Sequence, residues 1–162
     1  MEKNLIALGL LLRELEIPAS IGKLDDRVRI QKAVYLAQSV ARADFGYQYG
    51  WYLRGPYSTE LTKDYYALQD HTTTQELAEY GLRRGVIKQL QPVKALLKRP
   101  QEVTLSDAQW VELLASVQYL RDIGTTDDEL SDRIHQQKPN LAPYLTKGLE
   151  SLDKFSEARA PD

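Results

Sequence analysis

The segment Gly46-Tyr47-Gln48-Tyr49-Gly50-Trp51-Tyr52-Leu53-Arg54-Gly55-Pro56-Tyr57-Ser58 constrains the fold more than any other part of the chain. Its thirteen residues carry five aromatic side chains, three glycines and a proline. Such rings supply much of a small protein's burial energy, and Tyr and Trp keep a polar tip that needs a partner. Tyr47, Tyr49, Trp51 and Leu53 alternate with other residues, which predicts a short strand or hairpin around residues 47–54 with all four on one face. Gly55-Pro56 is expected to stop the strand, and Ser58 to cap a following helix. A segment built this way is a keystone of the core, a recognition surface, or both. It matches no catalytic motif.

The rest of the chain reads as helix. Leu5, Leu8, Leu12 and Leu15 predict a helix over 3–16, ended by Pro18. A second is expected over 25–42, capped by Asp25 or Asp26. Ile30, Ala33, Val34, Ala37 and Ala41 face inward in it, while Arg27, Gln31, Gln38 and Arg42 lie off that stripe. A third covers 58–69, with Leu61, Tyr65 and Leu68 inward. His71-Thr72-Thr73-Thr74 reads as a loop, followed by a short helix over 75–82 that Gly85 ends. Pro92 predicts that 86–99 is two short pieces, or a helix starting near the proline, and 100–104 is expected to be extended.

Ser106 and Gln109 form a capping-box pattern opening a helix that carries Trp110, Leu113, Leu114, Val117 and Leu120 and ends at Gly124. Trp110 is expected in the core. Thr126 and Glu129 suggest a second such box, opening a helix through Leu130 and Ile134. Pro139 and Pro143 bracket a turn, and 142–155 is a last helix. The fold class is therefore mostly α (α+β with a minor β element): one compact multi-helix domain over 1–155, with 156–162 a frayed tail.

Composition narrows the function. The chain has 162 residues, no cysteine and two histidines, His71 and His135, so it needs no disulfide and has no thiolate chemistry. Neither histidine has a second at metal-ligand spacing, and no phosphate-cradling glycine loop or G-x-S-x-G elbow occurs. Asp127-Asp128-Glu129 reads as first-turn acids complementing a helix dipole. His135 reads as a helix-end histidine bonded to a carbonyl. The expectation is a protein that is no enzyme and binds no metal or cofactor. The apolar run ending at Leu12 is broken at once by Arg13 and Glu14, too short for a membrane span, so a cytoplasmic location is expected.

Net charge is only −2, yet its distribution is uneven. No acid lies between Tyr80 and Gln101, whereas Arg83, Arg84, Lys88, Lys94, Lys98 and Arg99 do. These six could meet an acidic partner or DNA phosphates in a winged-helix-like regulator, or they are solvated helix faces. Arg54 is either an exposed anchor for an acidic partner or an internal strut.

Residues 29–38, Arg29-Ile30-Gln31-Lys32-Ala33-Val34-Tyr35-Leu36-Ala37-Gln38, resemble a helix of the Panacea domain, the SocA-like antitoxin family. Trp51-Tyr52-Leu53-Arg54-Gly55-Pro56-Tyr57-Ser58 is similar to that family's aromatic Gly-Pro turn leading into a helix. In outline the likeness extends over 21–143. Ala33 in place of a larger aliphatic, the tyrosine-rich 47–52 and Tyr57-Ser58 after Gly-Pro look closer to the YwgA-like branch. The resemblance implies a non-enzymatic module that binds a partner protein: a toxin, a protease or a defence-system component. It implies Lys32, Tyr35, Tyr49, Trp51, Tyr52, Arg54, Gly55, Pro56 and Tyr57 as signature or partner-contact residues.

Overall fold

The computed structural model describes residues 2–71 and 74–158. In chain order these form α1 (Lys3–Glu14), α2 (Leu24–Ser39), the strands β1 (Gly50–Tyr52) and β2 (Gly55–Tyr57), and α3 (Thr59–His71). Then come α4 (Thr74–Ala78), α5 (Arg84–Leu96), α6 (Asp107–Asp122), α7 (Asp127–Gln137), a 3-10 turn (Ala142–Tyr144) and α8 (Leu145–Ala158). The fold is mostly α, with one small antiparallel sheet among the described residues.

Two helices buried on nearly every face make the centre. In α6 every residue from Val111 to Val117 is buried, and in α2 the run Ile30 to Ala37 is. A helix apolar all round must be wrapped by others. α2 and α6 share the most extensive contact in the molecule; α8 packs on α6, α1 on α3, and β2 lies against both central helices. Trp110 is fully buried, its indole N–H donating to the Leu96 carbonyl at 3.2 Å.

Local chemistry explains the ends of α6. The Gln109 amide donates to Ser106 Oγ at 3.1 Å and the Ser106 amide to Gln109 Oε1 at 2.9 Å, completing the box. At the other end Gly124 adopts φ +87°, letting the Thr125 amide reach back to the Leu120 carbonyl at 2.9 Å. The second expected box is only half formed: Thr126 Oγ1 accepts from the Glu129 amide at 3.3 Å, and the Glu129 side chain does not complete it.

Several expectations need correcting. Pro92 lies inside one continuous helix, α5, because Leu90, Val93 and Leu96 bury a common stripe that outweighs the missing amide donor. Lys23, not Asp25 or Asp26, stands at the N-cap of α2, and no side chain caps it; the two acids occupy the first turn. α2 also ends early, at Ser39, with Arg42 at φ 57° and the Ala43 amide bonded back to Ala37. Gln31 is buried rather than off the stripe, since its amide has hydrogen-bond partners inside. His71 closes α3 instead of sitting in a loop; Thr72 and Thr73 lie outside the described residues. Residues 101–102 form a turn, the Val103 amide bonding the Pro100 carbonyl. The expected tail begins too early, since the α8 backbone runs through Ala158; 159–162 lie outside the described residues.

The largest correction concerns the aromatic segment. Gly55-Pro56 does not stop the strand; it begins the second one. The hairpin therefore sits at 50–57, pairing Gly50 with Tyr57, Trp51 with Pro56 and Tyr52 with Gly55. Pro56 pairs with Trp51 in a sheet of only two strands, where both strands are edges and a proline is tolerated. Neither Leu53 nor Arg54 has positive φ, so the reversal relies on Gly55 at φ +91°. Leu53 leaves the expected apolar face altogether and stands 97% exposed at the tip.

Candidate functional site

The hairpin is fastened to the core by charges that approach from both sides. Lys32 on α2 is buried, and its Nζ donates to the Pro56 carbonyl at 2.7 Å. Lys138, just after α7, is also buried; its Nζ donates to the Leu53 carbonyl at 3.2 Å and to Glu112 Oε2 at 3.0 Å. Glu112 sits on α6 with its side chain 9% exposed, and Arg54 Nη1 approaches its other oxygen at 4.0 Å. One buried carboxylate thus pairs with the Lys138 ammonium and stands 4.0 Å from the Arg54 guanidinium, and its charge also reaches Lys32. Two backbone carbonyls of the hairpin turn complete the polar satisfaction that burial demands.

Aromatic packing holds the same element laterally. Trp51 stacks on Tyr119 of α6 at 5.6 Å between centroids, and Tyr35 of α2 meets both Tyr119 at 5.8 Å and Tyr49 at 4.9 Å. Arg133 and Lys138 lie over the Trp51 ring at 5.7 and 5.6 Å, and its indole N–H donates to Gln137 Oε1 at 3.1 Å. Behind the hairpin, Gln31 clamps Ser58: its Nε2 donates to the Ser58 carbonyl at 2.8 Å and its Oε1 accepts the Ser58 amide at 2.9 Å. Ser58 caps α3 as expected, accepting from the Leu61 amide at 3.2 Å.

Burial tunes several of these groups. Desolvation pulls Lys32 down from 10.5 to about 7; Glu112 opposes this, while Lys138 and Arg54 reinforce it. Tyr35 is pushed up, first by burial and then by its bond to Asp122. Tyr47 is pushed up by burial and by donating to Asp64 at 2.6 Å, and Tyr49 by burial. The signs give a testable pH profile. Between about 7 and 10.5 the unfolded chain keeps a proton that folded Lys32 has lost, so stability rises with pH there. Its slope from this group reaches about 1.4 kcal/mol per pH unit. Above the ordinary phenol value of 10.0 the folded tyrosines keep protons that the unfolded ones release, so stability falls. The melting temperature is expected to peak near pH 9–10, and Lys32→Met to flatten the rising limb. A flat profile from pH 7 to 9 in the wild type would refute this account.

Next to the hairpin lies a cavity of about 330 Å³ between α2, the turn and α3. Tyr52, Tyr57, Tyr65 and Tyr66 line it together with Leu24 and Leu53. Arg27, Lys32 and Arg54 also contribute to its wall, and none of the residues lining it is acidic. Leu24, Tyr52, Leu53 and Tyr66 are four of the six large apolar side chains exposed among the described residues, the others being Tyr80 and Ile123. A rim of exposed apolar groups around a concave wall is uncommon on a surface without a partner.

The residues singled out from the sequence divide sharply. Lys32, Tyr35, Gly55 and Pro56 are buried, and Tyr49 is half-buried. They hold the element in place and cannot meet a partner broadly. Tyr52 and Arg54 are exposed, and Trp51 and Tyr57 are half-buried. Arg54 is exposed and reaches inward only as far as Glu112, at 4.0 Å. The two sequence segments, 29–38 and 51–58, touch directly through Lys32 and Gln31.

The six basic residues of 83–99 differ in their surroundings. Arg83, Arg84 and Lys88 are exposed near the start of α5. Lys94 pairs with Glu16 at 3.3 Å and Arg99 with Asp107 at 3.3 Å, while Lys98 is exposed nearby. Along α5 the nearest members of the two groups, Lys88 and Lys94, are separated by a rise of about 9 Å. His135 is exposed, its Nδ1 lying 2.8 Å from the Ser131 carbonyl of its own helix. Among the described residues no three His, Asp or Glu side chains are grouped as metal ligands, and no helix is long and apolar enough to cross a membrane.

Sequence reasoning missed Glu112 and Lys138. Glu112 did leave a signal: it is the one charge in Trp110-Val111-Glu112-Leu113-Leu114-Ala115-Ser116-Val117, and a lone acid in an apolar helix needs a buried partner. Lys138 left none. The chain matches no protein-family model, and comparisons with curated proteins and with solved structures find no match.

Proposed function

We propose that this chain is a non-enzymatic, cytoplasmic protein-binding module of Panacea or YwgA type, and that the hairpin face is where it binds. The observation that carries the reading is the ring of Leu24, Tyr52, Leu53 and Tyr66 around one cavity, beside an element braced by two buried lysines. A braced turn presents side chains with little ordering cost on association, which favours tight binding. Tyr and Arg, the types most often dominant at interfaces, are concentrated here. The direct contact between the two segments that carry the family resemblance supports the same reading. The partner would be a toxin, a protease or a defence-system component acting in an antitoxin, adaptor or defence role.

The test is co-purification with a tagged chain from its native cells, comparing wild type with Leu53→Ser and Tyr66→Ser. Both side chains are exposed, so each change should move stability by no more than about 0.5 kcal/mol. Wild type should capture a stoichiometric protein, and each variant should lose it by about tenfold or more. Equal recovery by all three, or no stoichiometric partner, would refute the proposal.

A further inference from the structure

The cavity beside the hairpin combines three properties. It is ringed by exposed apolar and aromatic groups, its wall carries Arg27, Lys32 and Arg54, and no carboxylate lies among the residues lining it. Glu112, which neutralises part of this charge, is bonded to Lys138 at 3.0 Å and reaches Arg54 only at 4.0 Å, leaving the half-exposed guanidinium open to a further partner. Arg27 spends one Nη1–H on the Ile21 carbonyl at 2.7 Å, leaving the rest of its fork of donors. The Thr62 and Tyr57 hydroxyls lie 2.6 Å apart and share one hydrogen bond at the cavity wall. The lining therefore joins apolar and aromatic side chains to the guanidinium groups of Arg27 and Arg54, with no carboxylate among them.

We propose that this cavity receives an acidic peptide segment of the partner, one in which an aromatic or large aliphatic side chain adjoins a carboxylate. The apolar side chain enters between the tyrosines, and the carboxylate meets Arg54 and Arg27. Size agrees: about 330 Å³ is at the small end for a ligand pocket, room for one large side chain and its neighbour's head group. Charge complementarity decides the sign of the ligand, because a cation would add to positive charge already in excess of local acids. This inference rests on the partner-binding reading and specifies what the partner must bring.

The probe is a blocked hexapeptide with phenylalanine between two aspartates, compared with a counterpart carrying asparagines and with free phenylacetate. Titration into nitrogen-15-labelled protein should shift the amides of Tyr52, Leu53, Arg54 and Tyr57. The asparagine peptide should bind about tenfold more weakly, the loss of one charge-assisted bond. Arg27→Gln and Arg54→Gln should erase that preference, with the rest of the spectrum showing that each variant remains folded. Equal binding of the two peptides, phenylacetate matching the acidic peptide, shifts elsewhere, or no shifts at millimolar peptide would each overturn it. If Leu53→Ser abolishes capture of the native partner while Arg27→Gln and Arg54→Gln leave it intact, the binding face stands and the acidic segment does not.

Discussion

Glu112→Gln is expected to destabilise the fold by about 3–5 kcal/mol, the range for stripping the counter-charge from a buried ion pair. The carboxylate lies between Lys138 Nζ at 3.0 Å and Arg54 at 4.0 Å, and Lys32 feels it as well. Glutamine keeps the shape and can still accept one hydrogen bond, so the loss reports charge rather than a cavity. Against a total stability of about 5–15 kcal/mol, this is a large fraction. It would lower the melting temperature by about 6–20 °C for a domain of this size. Removing the surplus cation should reverse part of the damage. Lys138→Met combined with Glu112→Leu is expected to be more stable than Glu112→Gln, because the buried Lys138 charge is gone and Lys32, already drawn down to about 7, can stay neutral. Urea unfolding of the wild type and the variants measures both effects. A Glu112→Gln protein within about 1 kcal/mol of wild type would mean that water reaches this group and that the cluster does not brace the hairpin.

What could be read from the sequence follows how local each cause is. The start of α6 depends on Ser106 and Gln109, three residues apart, and its end on Gly124; both were visible, as was Trp110 in the core. Ser58 as a helix cap is equally local. Pro92 misled because the sequence displays the lost donor while the burial of Leu90 and Val93 depends on other helices. Gln31 misled for the same reason: its polarity is local, its partner Ser58 is 27 residues away. The hairpin was placed too early because alternation was followed through Leu53, whereas the chain had already turned to use Gly55. The candidate site was half legible. Lys32, Tyr35 and the aromatic turn stood out as motifs, but Lys138 is 85 residues from the carbonyl it holds and 26 from Glu112. No spacing rule connects residues that only tertiary packing brings together.

Gly55→Ala should destabilise the chain by about 2–6 kcal/mol for two separable reasons. The first is conformational: at φ +91° an L-residue is strained by about 1–3 kcal/mol. The second is steric: a Cβ at this position would lie 2.4 Å from Ser116 Oγ, inside the buried α6. Crowding of this kind costs about 1–3 kcal/mol because neighbouring side chains leave their rotamers. The two causes can be told apart through Ser116. Its hydroxyl is buried and has no hydrogen-bond partner among the described residues, so Ser116→Ala alone should be neutral or stabilising by about 1 kcal/mol. In the Gly55→Ala background it removes the 2.4 Å contact and leaves Ser116 Cβ at an ordinary 3.5 Å. The double variant should recover the steric share and keep the backbone strain, a departure from additivity that thermal or urea unfolding of the four proteins can measure. Absence of recovery would show that the turn yields to accommodate the methyl group. In that case the carbonyls of Leu53 and Pro56 would move off Lys138 and Lys32, and the cavity wall formed by Tyr52, Leu53 and Arg54 would shift with them. Partner capture would then fall in proportion to that displacement even where the protein stays folded, because the same glycine that closes the hairpin also sets the position of its exposed side chains.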